Sequence, residues 1–78
     1  MSESGGLRVY LFDTTNLTMW AEEVALEQGI PAEVAPAPPG ADDKCGLSLR
    51  TPEEHAEELE RAMEEAGIDY VVVASGEG

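Results

Sequence analysis

The chain is poor in the residues that staple a fold, bind a metal or build a catalytic set. Its 78 residues include one cysteine, Cys45, and one histidine, His55. A single cysteine closes no intrachain disulfide, and no Cys/His cluster is available for a structural zinc. Neither a Cys-x-x-Cys pair nor a glycine-rich phosphate loop is present. Cations are scarce as well. Four Lys and Arg residues stand against 17 Asp and Glu, for a formal net charge of -13. A field of that sign repels phosphate backbones and anionic membrane surfaces, so neither nucleic acid nor a membrane is an expected partner. No apolar run approaches the ~20 residues of a membrane span. The opening Met1-Ser-Glu-Ser-Gly-Gly6 has neither the basic region nor the apolar stretch of an export signal. A lone cysteine without such a signal fits a reducing cytoplasm.

What is present reads as one small domain over residues 7–74, between a polar, Gly-rich N-terminus (1–6) and a similar tail (75–78), both expected to be disordered. Leu7 to Phe12 alternates as a strand, with Leu7, Val9 and Leu11 on one face and Arg8, Tyr10 and Phe12 on the other. Asp13 to Asn16 offers helix N-caps. Leu17, Trp20 or Ala21, Val24 and Leu26 then recur at helical spacing before Gly29 stops the helix. Ile30 to Ala35 is a short strand, and Pro36 to Lys44 is a loop that its prolines keep out of ladder or helix. Gly46 to Arg50 is a third strand. Thr51, Pro52 and Glu54 have the pattern of a capping box for a second helix, with Ala56, Leu59, Ala62 or Met63, and Ala66 as its buried stripe. Gly67 ends that helix, and Asp69 to Ala74 is the last strand.

The two halves match at an offset of 38. Glu27-Gln28-Gly29-Ile30 aligns with Glu65-Ala66-Gly67-Ile68, Ala21 with Leu59, Val34 with Val72, and Val9 and Leu11 with Leu47 and Leu49. Two similar β-α-β units imply an α+β, ferredoxin-like βαββαβ sandwich: a four-stranded antiparallel sheet with two helices on one face. The first and third strands are expected to be central and adjacent, and to run parallel. Trp20 is read as a core position. Tyr10 and Phe12, by strand parity, are expected on the open sheet face, as a dimer surface or as ordinary exposed residues.

Evidence for a self-contained active site is thin, so the chain is read as a carrier or binding protein rather than an enzyme. His55 sits among Glu53, Glu54, Glu57 and Glu58 as a helix-surface residue, and the helical carboxylates form a solvated face. Cys45 is the best functional candidate. It closes the proline-rich loop and opens the third strand. Lys44, the only lysine, precedes it, and Arg8 is expected beside Gly46 on the neighbouring strand. Two cations near a thiol favour thiolate, while Asp42 and Asp43 oppose it. Gly46 admits close approach of a ligand or another backbone. Against this, Cys45 shares parity with Leu47 and Leu49, which also suits a small buried hydrophobe. Metal delivery through Cys45, Asp42 and Asp43 is a weaker option, because one soft ligand and two carboxylates make a poor site unless two chains combine. No resident metal or cofactor is expected.

The pattern of Phe12, Glu22, Gly29-Ile30, Pro36-Ala37-Pro38 and Cys45-Gly46 resembles the DUF3343 family of small selenium/sulfur carrier-like proteins. The likeness spans Val9 to Tyr70. It implies that Cys45 holds sulfur or selenium as a persulfide or selenosulfide between protein donors and acceptors, with Lys44 and Gly46 at the site and Arg8, Pro36 and Pro38 in support. One position departs from the pattern: the family often has Arg after the second proline, and this chain has Pro39. Lys44 is the available substitute. The alternative reading is a non-enzymatic interaction module, with homodimerisation through the open sheet face as one form of it.

Overall fold

A computed structural model describes residues 6–37 and 46–74. Six elements follow in order: β1 (Leu7–Leu11), α1 (Thr15–Gln28), β2 (Glu33–Pro36), β3 (Leu47–Pro52), α2 (Glu53–Ala66) and β4 (Val71–Ala74). The strands form one sheet in the order β2-β3-β1-β4, and every neighbouring pair is antiparallel. This is the α+β, ferredoxin-like arrangement expected from the repeat.

One expectation about direction is corrected. β1 and β3 are adjacent, but antiparallel, with Arg8 opposite Thr51, Tyr10 opposite Leu49 and Leu11 opposite Ser48. The reason is connectivity. The α1 crossover returns β2 parallel to β1, and the β2–β3 hairpin then reverses the chain once. The expected parallel pairing had placed Arg8 beside Gly46. The antiparallel pairing sets them roughly 16 Å apart along the strands.

Both helices end by the same device. Gly29 (φ 73°) and Gly67 (φ 81°) adopt the left-handed conformation. The following isoleucine donates back into the helix, Ile30 N to Ala25 O at 2.8 Å and Ile68 N to Met63 O at 2.9 Å. Both isoleucines are buried in the core, so each cap also anchors the chain as it leaves the helix. The N-termini differ. Thr14 caps α1, its hydroxyl accepting from Leu17 N at 3.1 Å. The expected capping box on α2 does not form. Thr51 is still in β3, fully buried, and its hydroxyl donates to Pro31 O at 2.6 Å. Pro52 takes the cap position without a side-chain bond. The first amide of α2, Glu53 N, is satisfied instead by Gly6 O at 3.0 Å.

The core lies between the helices and the sheet face that carries Tyr10 and Leu49. Phe12, Ala21, Ala25, Leu59 and Met63 complete its centre. Tyr10 is wholly buried and Phe12 nearly so, which overturns their placement on the open face. Cross-strand partners share a face, so Leu7, Val9 and Leu11 belong with Ser48 and Arg50 on the side away from the helices. On α1 the buried residue of the alternative Trp20 or Ala21 is Ala21; Trp20 and Leu26 are exposed. The α2 stripe of Ala56, Leu59 and Met63 is buried as expected.

Candidate functional site

Antiparallel pairing gathers five chain segments at one end of the sheet. β1 ends there at Leu11, opposite Ser48 of β3 and Val71 of β4. Phe12 to Thr14 leads directly into α1, so the start of that helix is at the same end. β2 arrives at Pro36, paired with Leu47. The connection between β2 and β3 therefore leaves and returns there.

The base of that connection is clasped. Ala37 N donates to Gly46 O at 3.1 Å. The buried Ser48 hydroxyl lies 3.1 Å from Ala35 O and 3.2 Å from Pro36 O, and shares its proton between the two carbonyls. Gly46 has φ 76°, a conformation that a side chain disfavours. The glycine after Cys45 thus serves the turn into β3, beyond any role in ligand approach. Thr18 adds a second tie on α1, with both its amide and hydroxyl donating to Thr14 O at 3.2 Å. The first turn of α1 carries no carboxylate, so the partial positive charge of the helix start is not neutralised within it.

Of the residues read as site candidates, Pro36 and Gly46 are described and both belong to this clasp. Lys44, Cys45 and Pro38 lie outside the described residues, as do Pro39, Asp42 and Asp43. Arg8 is elsewhere. Its guanidinium grips Glu53 through Nε (3.1 Å to Oε2) and Nη2 (2.9 Å to Oε1), and Glu60 through Nη1 (3.0 Å to Oε2). These bonds hold its pKa well above the ordinary guanidinium value, those to Glu60 and Glu53 foremost. Tyr10 and Phe12 are core residues and supply no interface. Tyr10 Oη donates to the same Glu60 Oε2 at 2.8 Å. Burial, reinforced by that bond, pushes its pKa far up. The Tyr70 ring stands edge-on to Tyr10 with centroids 5.4 Å apart, and its hydroxyl donates to Glu64 at 2.7 Å.

The remaining polar features are remote from the clasp or unsuited to catalysis. A shallow recess of about 380 Å³ lined by Leu7, Pro31, Ala32, Glu33, Arg50 and Pro52 lies at the opposite end of the sheet. Arg50 pairs there with Glu33. His55 Nδ1 lies 3.1 Å from Glu58 on the surface of α2, as an acidic helix face predicts. Among the described residues no group of three His, Cys, Asp or Glu side chains converges on a metal position, and no helix is long and apolar enough to cross a membrane.

Fold and site together define a small ferredoxin-like domain whose one cysteine lies in the β2–β3 connection, directly before the clasped Gly46. The chain belongs to the family described as "Putative Se/S carrier protein-like", whose model matches residues 8–73. No curated protein and no solved structure matches the chain.

Proposed function

We propose that the protein carries sulfur or selenium on Cys45, as a persulfide or selenosulfide, between a donor and an acceptor protein. Family membership over nearly the whole described chain carries this reading, since the chain has one cysteine to serve it. The clasp supports it. Ala37, Gly46 and Ser48 fix both ends of the connection that holds Cys45, at the sheet end where α1 begins. The transfer is an exchange at sulfur. The Cys45 thiolate attacks the terminal sulfur of a donor persulfide, a new S–S bond forms, the donor's bond breaks, and the donor leaves as thiolate. A donor selenosulfide passes selenium by the same displacement. An acceptor nucleophile then takes the terminal atom and returns Cys45 as thiolate. No net redox change and no further catalytic group is required.

The test is intact-mass spectrometry after incubation with a cysteine desulfurase charged by free cysteine. The expected product is the chain plus one sulfur, reversed by a thiol reductant and absent from Cys45→Ser. Failure to find any Cys45-dependent adduct, with either a persulfide or a selenosulfide donor, sinks the carrier reading.

A further inference from the structure

The outer face of α1 has a pattern that neither the fold nor the carrier chemistry uses. Glu23 sits at its centre. Met19 and Trp20 are one turn before it and Leu26 and Glu27 one turn after, at the three- and four-residue spacings that make helix neighbours. Met19 is 55%, Trp20 44% and Leu26 67% exposed, and both glutamates are exposed. α1 contains no Lys or Arg, and no ion pair reaches Glu23 or Glu27 among the described residues. Three large apolar side chains therefore surround an uncompensated carboxylate.

We propose that this face is the docking surface for a partner protein that presents an apolar side chain next to Arg or Lys. The charges select the occupant. A purely apolar partner would bury the Glu23 carboxylate without a counter-ion, which is costly. A second copy of the chain would bring the same two glutamates and a net charge of -13. A cationic side chain meets every feature: its aliphatic stem covers Met19 and Leu26, its head reaches Glu23, and the Trp20 ring adds a cation–π contact. The patch spans the middle and the C-terminal half of α1, from about 8 Å to about 20 Å along the helix axis from Thr14. The inference does not depend on chemistry at Cys45.

Trp20 is the chain's one tryptophan, so its fluorescence reports on this surface alone. The test uses the full chain with Cys45→Ser, which removes thiol chemistry, and three synthetic helical peptides: an amphipathic Leu/Arg peptide, the same peptide with Arg replaced by Gln, and the same with Leu replaced by Ser. The Leu/Arg peptide is expected to bind saturably and shift Trp20 emission to shorter wavelength. Each altered peptide should bind at least about ten-fold more weakly, and so should the chain variants Leu26→Ser and Glu23→Lys titrated by calorimetry. Both substitutions are at exposed positions, and unchanged circular dichroism confirms their folds. The proposal is overturned by any of four results. One is a Leu-to-Ser peptide that matches the parent, which means bulk charge attraction. Another is unchanged binding to Leu26→Ser and Glu23→Lys, and a third is no binding by any peptide. The fourth is a homodimer in sedimentation that Leu26→Ser dissolves, which means the face is taken by a second copy.

Discussion

Glu60 Oε2 receives two donors, the Arg8 guanidinium at 3.0 Å and the Tyr10 hydroxyl at 2.8 Å. That one oxygen joins β1 to α2 at a partly covered position, where Arg8 remains 30% exposed. Solvent screening keeps the ion pairs modest, so Arg8→Gln is expected to cost about 1 kcal/mol in urea unfolding. Arg8→Lys should recover little of it, because an ammonium cannot reproduce the two-pronged grip on Glu53. The tyrosines make a separate prediction at high pH. Burial and then the Glu64 bond raise Tyr70 to about 12, and Tyr10 is raised further. Between pH 10 and 12 the unfolded chain loses these protons while the folded chain keeps them. Stability is therefore full below about pH 10 and falls as pH rises. Urea midpoints taken at pH 9 and pH 11 should show the drop, and Tyr70→Phe should make it shallower. An equal drop in the variant would assign the loss to other groups.

At the scale of the element, the 38-residue offset explains both what could be read and what could not. α1 and α2, Gly29 and Gly67, and β2 and β4 correspond residue for residue at that offset. Helix periodicity, the glycine stops and the βαββαβ order were legible for this reason. β1 and β3 do not keep it: at that offset β3 starts two residues and ends three residues late, and its inward face has the opposite parity. β1 ends at Leu11 and reaches its helix through Phe12 to Thr14, whereas β3 runs through Thr51 to Pro52 and enters α2 directly. One residue of slip inverts a strand's faces. Tyr10, not Leu11, is thus the counterpart of Leu49, and the two are cross-strand partners in the core. Alternation alone favoured the apolar row Leu7, Val9 and Leu11. The winning row has Tyr10 and Arg8 because Glu60 and Glu53 on α2 satisfy their polar ends. Thr51 failed as a cap for the same reason: its hydroxyl was already committed to Pro31. Of the site, the break between β2 and β3 was legible, but the turn at Gly46, read as the first residue of β3, was not, nor was the distance of Arg8, since that needed strand direction. The helix ends can be tested directly. A Cβ at Gly29 or Gly67 meets no atom within 4 Å, so Ala at either costs only the left-handed strain, about 1–2 kcal/mol. Thr51→Val should cost about 1 kcal/mol by stranding the Pro31 carbonyl, while Glu54→Ala, with no box to break, should stay within about 0.5 kcal/mol.

For the whole molecule the governing quantity is charge. The radius of gyration is 11.6 Å, close to the Debye length of about 10 Å at 0.1 M salt. Below that ionic strength most of the net charge of -13 repels itself across the entire fold, and unfolding relieves the repulsion by spreading the chain. Added salt also weakens the Arg8 pairs, which works in the opposite direction. Those pairs are short-range and partly covered, so they are screened less than the long-range repulsion. The urea midpoint is therefore expected to rise steadily from about 0.02 M to about 1 M NaCl. Glu27→Gln, which removes an exposed, unpaired charge, should raise the low-salt midpoint and leave the high-salt one unchanged. A midpoint that falls with salt would mean that the few ion pairs outweigh the excess charge. The same field that destabilises the isolated chain speeds its encounter with a basic partner, so docking on α1 should weaken over the salt range in which the fold becomes firmer.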